Sequence, residues 1–201
     1  MSKGQLTRRV ILDEALEVAS RTGLHGLTVG SLATQVTMSK SGLFAHFGSK
    51  ESLQLQVLAH GREEFVADVL RPALAAPRGE PRLRALFERW LACGQSDRPG
   101  ACLFLSAASE LSGRRGPVHD RVQADHRDLH DSIVQVFRTG VAEGQFREDA
   151  DPEQFAYDLF GVMFAFHHAH RMMGDPAAPT RARHAFERLV TAARVAGATT
   201  T

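Results

Sequence analysis

His126 and His130 stand four residues apart in a segment that also carries Asp120, Asp125, Asp128 and Asp131. On a helix that spacing puts both imidazoles on one face, where they could hold a zinc ion. Arg121 and Arg127 interleave with the aspartates, and a run of mixed charge is the usual make-up of a solvated helix face. His167, His168 and His170 form a second histidine group further on. Cys93 and Cys102 lack the CxxC spacing of zinc or thioredoxin-type sites. Two reduced thiols are the plain reading, and an oxidant-sensing pair is the alternative. No GxSxG, P-loop or HExxH pattern occurs. The expectation is a protein that is not an enzyme and has no cofactor or metal; a helical metalloenzyme built on His126 and His130 is the competing reading.

The densest signal is Thr28 to Lys50, TVGSLATQVTMSKSGLFAHFGSK. Thr28, Ser39 and Ser49 are successive N-cap candidates, each followed by a helical pattern. Two short helices, Val29 to Val36 and Lys40 to Phe47, are joined tightly at Thr37 and Met38. Leu32, Ala33, Val36, Leu43 and Phe47 are available to pack against a preceding helix. This is a helix-turn-helix arrangement. A helix fits the major groove of B-DNA, and its N-terminal end offers backbone N–H groups and short polar side chains to bases and phosphates. Lys40, Ser41, Phe44 and Ala45 fall on one face of the second helix, and that face has no reason to be buried.

The stretch resembles the DNA-binding domain of TetR-family transcriptional regulators. It shows Thr-Val-x-x-Leu-Ala, a short turn, Ser-Lys-x-x-Leu-(aromatic)-x-His-Phe, and Ser-Lys-Glu-x-Leu opening a long fourth helix. The resemblance covers about residues 7 to 58. It implies that Thr28 contacts a phosphate, that Lys40 and Ser41 face base edges or phosphates, and that His46 and Lys50 clamp the DNA backbone; the cap residue Ser39 and Ala45 on the same exposed face are expected DNA-binding residues beside them. Gly30 stands where other members present a longer side chain, so that position reads no base edge here. Phe44 replaces the family's usual Tyr and loses a hydroxyl; it presses either on sugar and thymine methyl groups or into the core.

The elements that must position these residues are read from helical periodicity, with no convincing strand anywhere. Leu12, Ala15, Leu16 and Ala19 predict a first helix from about Thr7 to Thr22, stopped by Gly23. The fourth helix can run from Lys50 to about Ala75. Further helices are predicted at Pro81–Gln95, Ala101–Leu111, Pro117–Glu143, Pro152–Met173 and Thr180–Val195, bounded by Pro and Gly. The expected fold is all-α, about nine helices: a DNA-binding domain over residues 1–53 and a helical ligand-binding and dimerisation domain over 54–201.

At 201 residues the chain can bury a real core, and its 24 basic and 23 acidic residues exclude a polyelectrolyte that binds by bulk charge. All three lysines nevertheless lie in the first 50 residues. Tyr157 to Ala169 is too short and too polar to span a bilayer, which with the absence of a signal-peptide pattern predicts a cytoplasmic protein and no membrane partner.

The resemblance further implies a homodimer on a pseudo-palindromic double-stranded DNA operator, acting as a repressor that answers to a small-molecule effector; a redox regulator using the cysteines is an alternative. Pro152 to Met173 is apolar nearly all round and must be covered on two sides. Phe155, Leu159, Phe166, Phe186, Leu189 and Val190 are the expected dimer contacts, with intrachain core as the other reading. Phe87, Trp90, Phe104, Phe137, Met163, Phe164 and His167 are the expected effector pocket, each of them also suited to ordinary core.

Overall fold

The computed structural model describes residues 3–96 and 103–195. Among these the chain is helical throughout, apart from one isolated antiparallel bridge between Phe146 and Arg194. Helix α1 (Lys3–Gly26) starts earlier than the periodicity suggests and is kinked at Gly23, whose φ of 76° only glycine adopts without strain. Helices α2 (Val29–Gln35) and α3 (Lys40–Phe47) follow, with Thr37 at φ 55° in the turn between them.

Helix α4 (Lys50–Phe65) continues through a π-helical turn (Val66–Leu70) into α5 (Arg71–Leu74), so the long fourth helix expected from the periodicity is present with a change of register inside it. The remaining helices are α6 (Glu80–Gln95), α7 (Leu103–Leu111), α8 (Pro117–Ala142), α9 (Pro152–His167), a second π-turn (His168–Met172), and α10 (Ala178–Ala193). Each starts or stops within a few residues of its predicted end. Residues 101 and 102, the expected start of α7, lie outside the described residues.

The chain forms two compact units, and both are discontinuous in sequence. One gathers residues up to Val66 with Ser96–Asp125; the other gathers Ala67–Gln95 with the chain from His126 onward. This differs from a division at residue 53, because the whole of α4 and the later helix α7 pack with the helix-turn-helix rather than away from it. The core of the first unit contains Ala15, Leu16, Ala19, Leu32, Leu43, Phe47, Leu53 and Val57 together with Leu103, Ala107 and Leu111 of α7.

In the second unit Phe87 and Phe186 stack with ring centroids 4.1 Å apart, and Phe137 lies between Phe146 at 4.5 Å and Phe155 at 4.7 Å. A charged pin ties α6 to α10. Glu80 accepts from Arg84 and Arg194, and Arg84 also donates to Glu187. Burial alone would push the Glu80 carboxyl up, but the hydrogen bonds from Arg194 and Arg84 outweigh it and hold Glu80 below its usual 4.5. The bond from Arg84 holds Glu187 down likewise.

Five of the six expected dimer contacts belong to this intrachain core. Phe155, Leu159, Phe166, Phe186 and Val190 are buried within one chain, Phe166 at 3% exposure, and Leu189 is half-buried. A side chain enclosed by its own protomer has little surface left for a second copy, whereas the outer side of α9 is exposed. There Tyr157 (72% exposed), Gly161, Ala165, His168 and Met172 (79% exposed) form a stripe at helical spacing. None of the described helices is long and apolar enough to cross a membrane.

Candidate nucleic-acid interface

The helix-turn-helix is assembled by local hydrogen bonds that its own sequence dictates. Thr28 caps α2 in a reciprocal box: its Oγ1 accepts from the Ser31 N–H at 3.0 Å, and the Ser31 Oγ accepts from the Thr28 N–H at 3.1 Å. Ser39 caps α3 by accepting from the Gly42 N–H at 3.1 Å, and Ser49 caps α4 by accepting from the Ser52 N–H at 3.0 Å. Each cap satisfies an N–H that the first turn cannot pair and fixes where its helix begins.

Helix α3 is two-sided. Leu43 and Phe47 are buried, whereas Lys40, Ser41, Phe44 and Ala45 are exposed. Phe44 is 53% exposed, which resolves its two readings in favour of the outer face. The Lys40 stem runs beside Gly30, where a Cβ would sit 3.5 Å from the lysine Cε; the missing side chain gives the lysine room. His46 is half-buried in the last turn of α3, and Lys50 is exposed at the first turn of α4. The Lys50 ammonium donates to the His25 carbonyl at 2.7 Å, which uses one of its three hydrogens and orients the rest.

Glu110 on α7, a residue with no signal in the sequence, anchors the motif from below. Its carboxylate accepts from the Leu24 N–H at 2.8 Å and from the His25 N–H at 2.6 Å, and meets His25 Nδ1 at 2.6 Å. A Cβ on Gly23 would lie 2.7 Å from that carboxylate, so the glycine serves both the kink and the close approach. Buried Gln54 adds a bond to the Leu24 carbonyl at 2.6 Å.

The expected effector pocket is not brought together as a set. Phe87, Trp90, Phe137 and Met163 are fully packed, Phe164 and His167 are half-buried, and Phe104 belongs to the first unit, stacked on Phe65 at 5.4 Å. Burial first, then the charge of Arg171, lowers the His167 imidazole. The second unit does contain an open cleft of about 420 Å³ among α5 with its preceding turn, α6 and α8. Its apolar lining is Leu70, Ala73, Leu74, Leu86 and Val136; its polar lining is Arg82, Asp131, Ser132, Gln135 and Thr139. No aromatic residue lines it, so the aromatic residues of the sequence do not point to it.

His126 and His130 do not converge on a metal. They flank the Phe160 ring, at 5.7 and 6.3 Å between centroids, and Trp90 meets the same ring edge-on at 5.4 Å. Among the described residues no group of three or more His, Cys, Asp or Glu is placed to hold a metal ion. Cys93 is half-buried on α6, and Cys102 lies outside the described residues.

Comparison with known proteins gives the same picture. Residues 11–57 match the family model described as bacterial regulatory proteins, tetR family, and residues 79–186 match the tetracyclin repressor-like C-terminal domain. The HTH-type transcriptional repressor KstR2 of Mycolicibacterium smegmatis is 26% identical over 149 residues, 69% of each chain. The crystal structure of a TetR transcriptional regulator from Chloroflexus aurantiacus superposes with a TM-score of 0.86 at 22% identity, covering 98% of this chain and all of that one. The structure of AibR in complex with isovaleryl coenzyme A and operator DNA superposes at 0.73 with 19% identity, covering 94% and 98%. With the C-terminal model spanning more than half the chain and the N-terminal model spanning the capped helix-turn-helix, this protein belongs to the tetR family of bacterial regulatory proteins.

Proposed function

We infer that this DNA-binding regulator is a homodimeric repressor that reads an inverted-repeat operator through α3 and releases it on binding a small amphipathic molecule. The observation that carries the reading is the two-sided α3: Leu43 and Phe47 hold it to the core while Lys40, Ser41, Phe44 and Ala45 are exposed on the opposite face, and an α-helix fits a major groove. Thr28, Ser39, His46 and Lys50 surround that face as phosphate contacts. AibR, of the same fold, is seen with both a coenzyme A thioester and operator DNA. The cleft of about 420 Å³ is the effector site in this reading. Its apolar lining takes a hydrocarbon body. Arg82, with Nε and Nη2 on the Ala76 carbonyl, keeps its remaining N–H groups for an anionic or acceptor head.

Selection of bound fragments from the source genome tests this. Enrichment of an inverted repeat with half-site centres about 34–36 Å apart, or moderately more, is expected. If no inverted repeat is enriched, the reading falls. A compound that releases wild-type protein should fail on Leu86→Trp, which fills the cleft; equal release places the effector elsewhere.

A further inference from the structure

We propose that Arg114 and Arg115, in the turn between α7 and α8, are additional contacts to the phosphate backbone of bound DNA, outside the helix-turn-helix. The proposal rests on the DNA-binding reading and extends it to a segment distant in sequence from the motif.

The placement follows from how three helices of the first unit run. Helices α1 and α4 are antiparallel: Lys50 meets His25 at one end, His60 meets Asp13 at 2.6 Å midway, and Arg9 meets Glu64 at 3.9 Å at the other end. Helix α7 runs parallel to α1. At its start Leu103 and Leu16 both lie against Gly61; at its end Glu110 grips Leu24 and His25. The end of α7 therefore coincides with the end of α1, the cap of α2 at Thr28, and the first turn of α4 at Lys50. That is the end of the unit from which the motif meets DNA. Arg114 is only four residues past Glu110, at most about 14 Å of extended chain, and a turn closed by the Arg114 N–H on the Leu111 carbonyl at 2.9 Å shortens this further.

The charges at this end leave both guanidinium groups available. Arg114 and Arg115 are exposed, and neither has a carboxylate partner among the described residues. The carboxylates nearest in sequence are already engaged: Glu110 on Leu24 and His25, and Asp120 with His119 Nδ1 at 2.9 Å. Arg21 is neutralised by Glu17. Lys40, Lys50, Arg114 and Arg115 thus face solvent at this end with Glu51 and Asp120 as the exposed opposing charges, four cationic groups against two. Arginine's planar fork suits phosphate oxygens, and the flanking Gly113 and Gly116 allow the turn to settle on a backbone of fixed spacing. The partner is the sugar-phosphate backbone beside each half-site, so these contacts raise affinity without choosing sequence.

The test is a salt titration of binding to the selected operator and to a random-sequence duplex, using the full-length protein. The double variant Arg114→Gln/Arg115→Gln should flatten the log K against log salt slope by about 0.9 for each phosphate that a protomer no longer neutralises. It should also weaken both DNAs by an equal factor, about tenfold or more at 0.1 M salt, leaving the ratio between them unchanged. Arg114→Lys/Arg115→Lys should restore most of the slope, and Arg127→Gln, an exposed arginine of the other unit, should leave it unaltered. Thermal unfolding of the variants checks that the fold is intact. A double variant with the wild-type slope, in an assay where Lys50→Gln flattens it, overturns the proposal and leaves the DNA-binding reading standing. Wild-type protein that binds neither duplex overturns both.

Discussion

Two lysines of the motif are separated by what each one touches. Lys40 sits at the start of the exposed α3 face, beside the open space at Gly30, and is the groove-facing lysine in the proposed reading. Lys50 is tethered to the His25 carbonyl and is a phosphate contact at the rim in the same reading. Lys40→Ala should relax sequence preference, whereas Lys50→Ala should weaken all sequences alike and reduce the salt slope by about 0.9 for each phosphate left without its cation. Binding of the selected operator and a set of single-base variants at several salt concentrations separates the two; an equal drop in specificity for both would mean the faces are misassigned. Phe44 shows what one atom changes: 53% exposed and without a hydroxyl, its side chain presents only apolar surface to solvent.

Among elements, the pin between α6 and α10 carries a measurable pH signature. Glu80 and Glu187 are held below 4.5, so their folded-state affinity for protons is weaker than in the unfolded chain. The stability they contribute is therefore fully present above about 4.5 and is lost as pH falls through the lowered folded values. Glu80→Gln removes the acceptor charge from Arg84 and Arg194 and should cost about 1.5–3 kcal/mol at neutral pH. In urea unfolding at a series of pH values, the gap between wild type and variant should narrow as pH falls below about 4.5. A gap that stays constant would show that the charge of Glu80 is not what the pin uses.

At the scale of the whole molecule, two neighbouring residues of α9 have opposite duties. Phe166 is 3% exposed and packs inside its own chain; Ala165, the residue before it, lies on the outer stripe with Tyr157, Gly161 and Met172. Phe166→Arg buries an unpaired charge and should destabilise the fold by at least about 3 kcal/mol. Ala165→Arg leaves the core intact and should yield a folded monomer with weakened operator binding, because only a two-fold pair of motifs engages both half-sites. Sedimentation velocity and thermal unfolding on both variants decide it, and a fully dimeric Ala165→Arg would move the dimer interface off this stripe.

The helix order, the caps at Thr28, Ser39 and Ser49, and the outward face of α3 are written locally. Each depends on residues within one or two turns, and side-chain hydrogen bonds and helical periodicity act at that range. The DNA-binding motif is legible in the sequence for that reason. The other half is not, because α9 is apolar nearly all round, and periodicity cannot say which side of such a helix meets its own chain. Packing assigned Phe155, Leu159 and Phe166 inward and left Tyr157, Gly161 and Ala165 outward. Packing also placed the cleft among aliphatic and polar residues of α5, α6 and α8, away from the aromatic residues that stack on one another. Glu110 reaches Leu24 across 86 positions of sequence, and the end of α7 lies beside the end of α1 only because the two helices run parallel. Contacts at such separation come from the mutual burial of whole helices, and only the folded chain decides them.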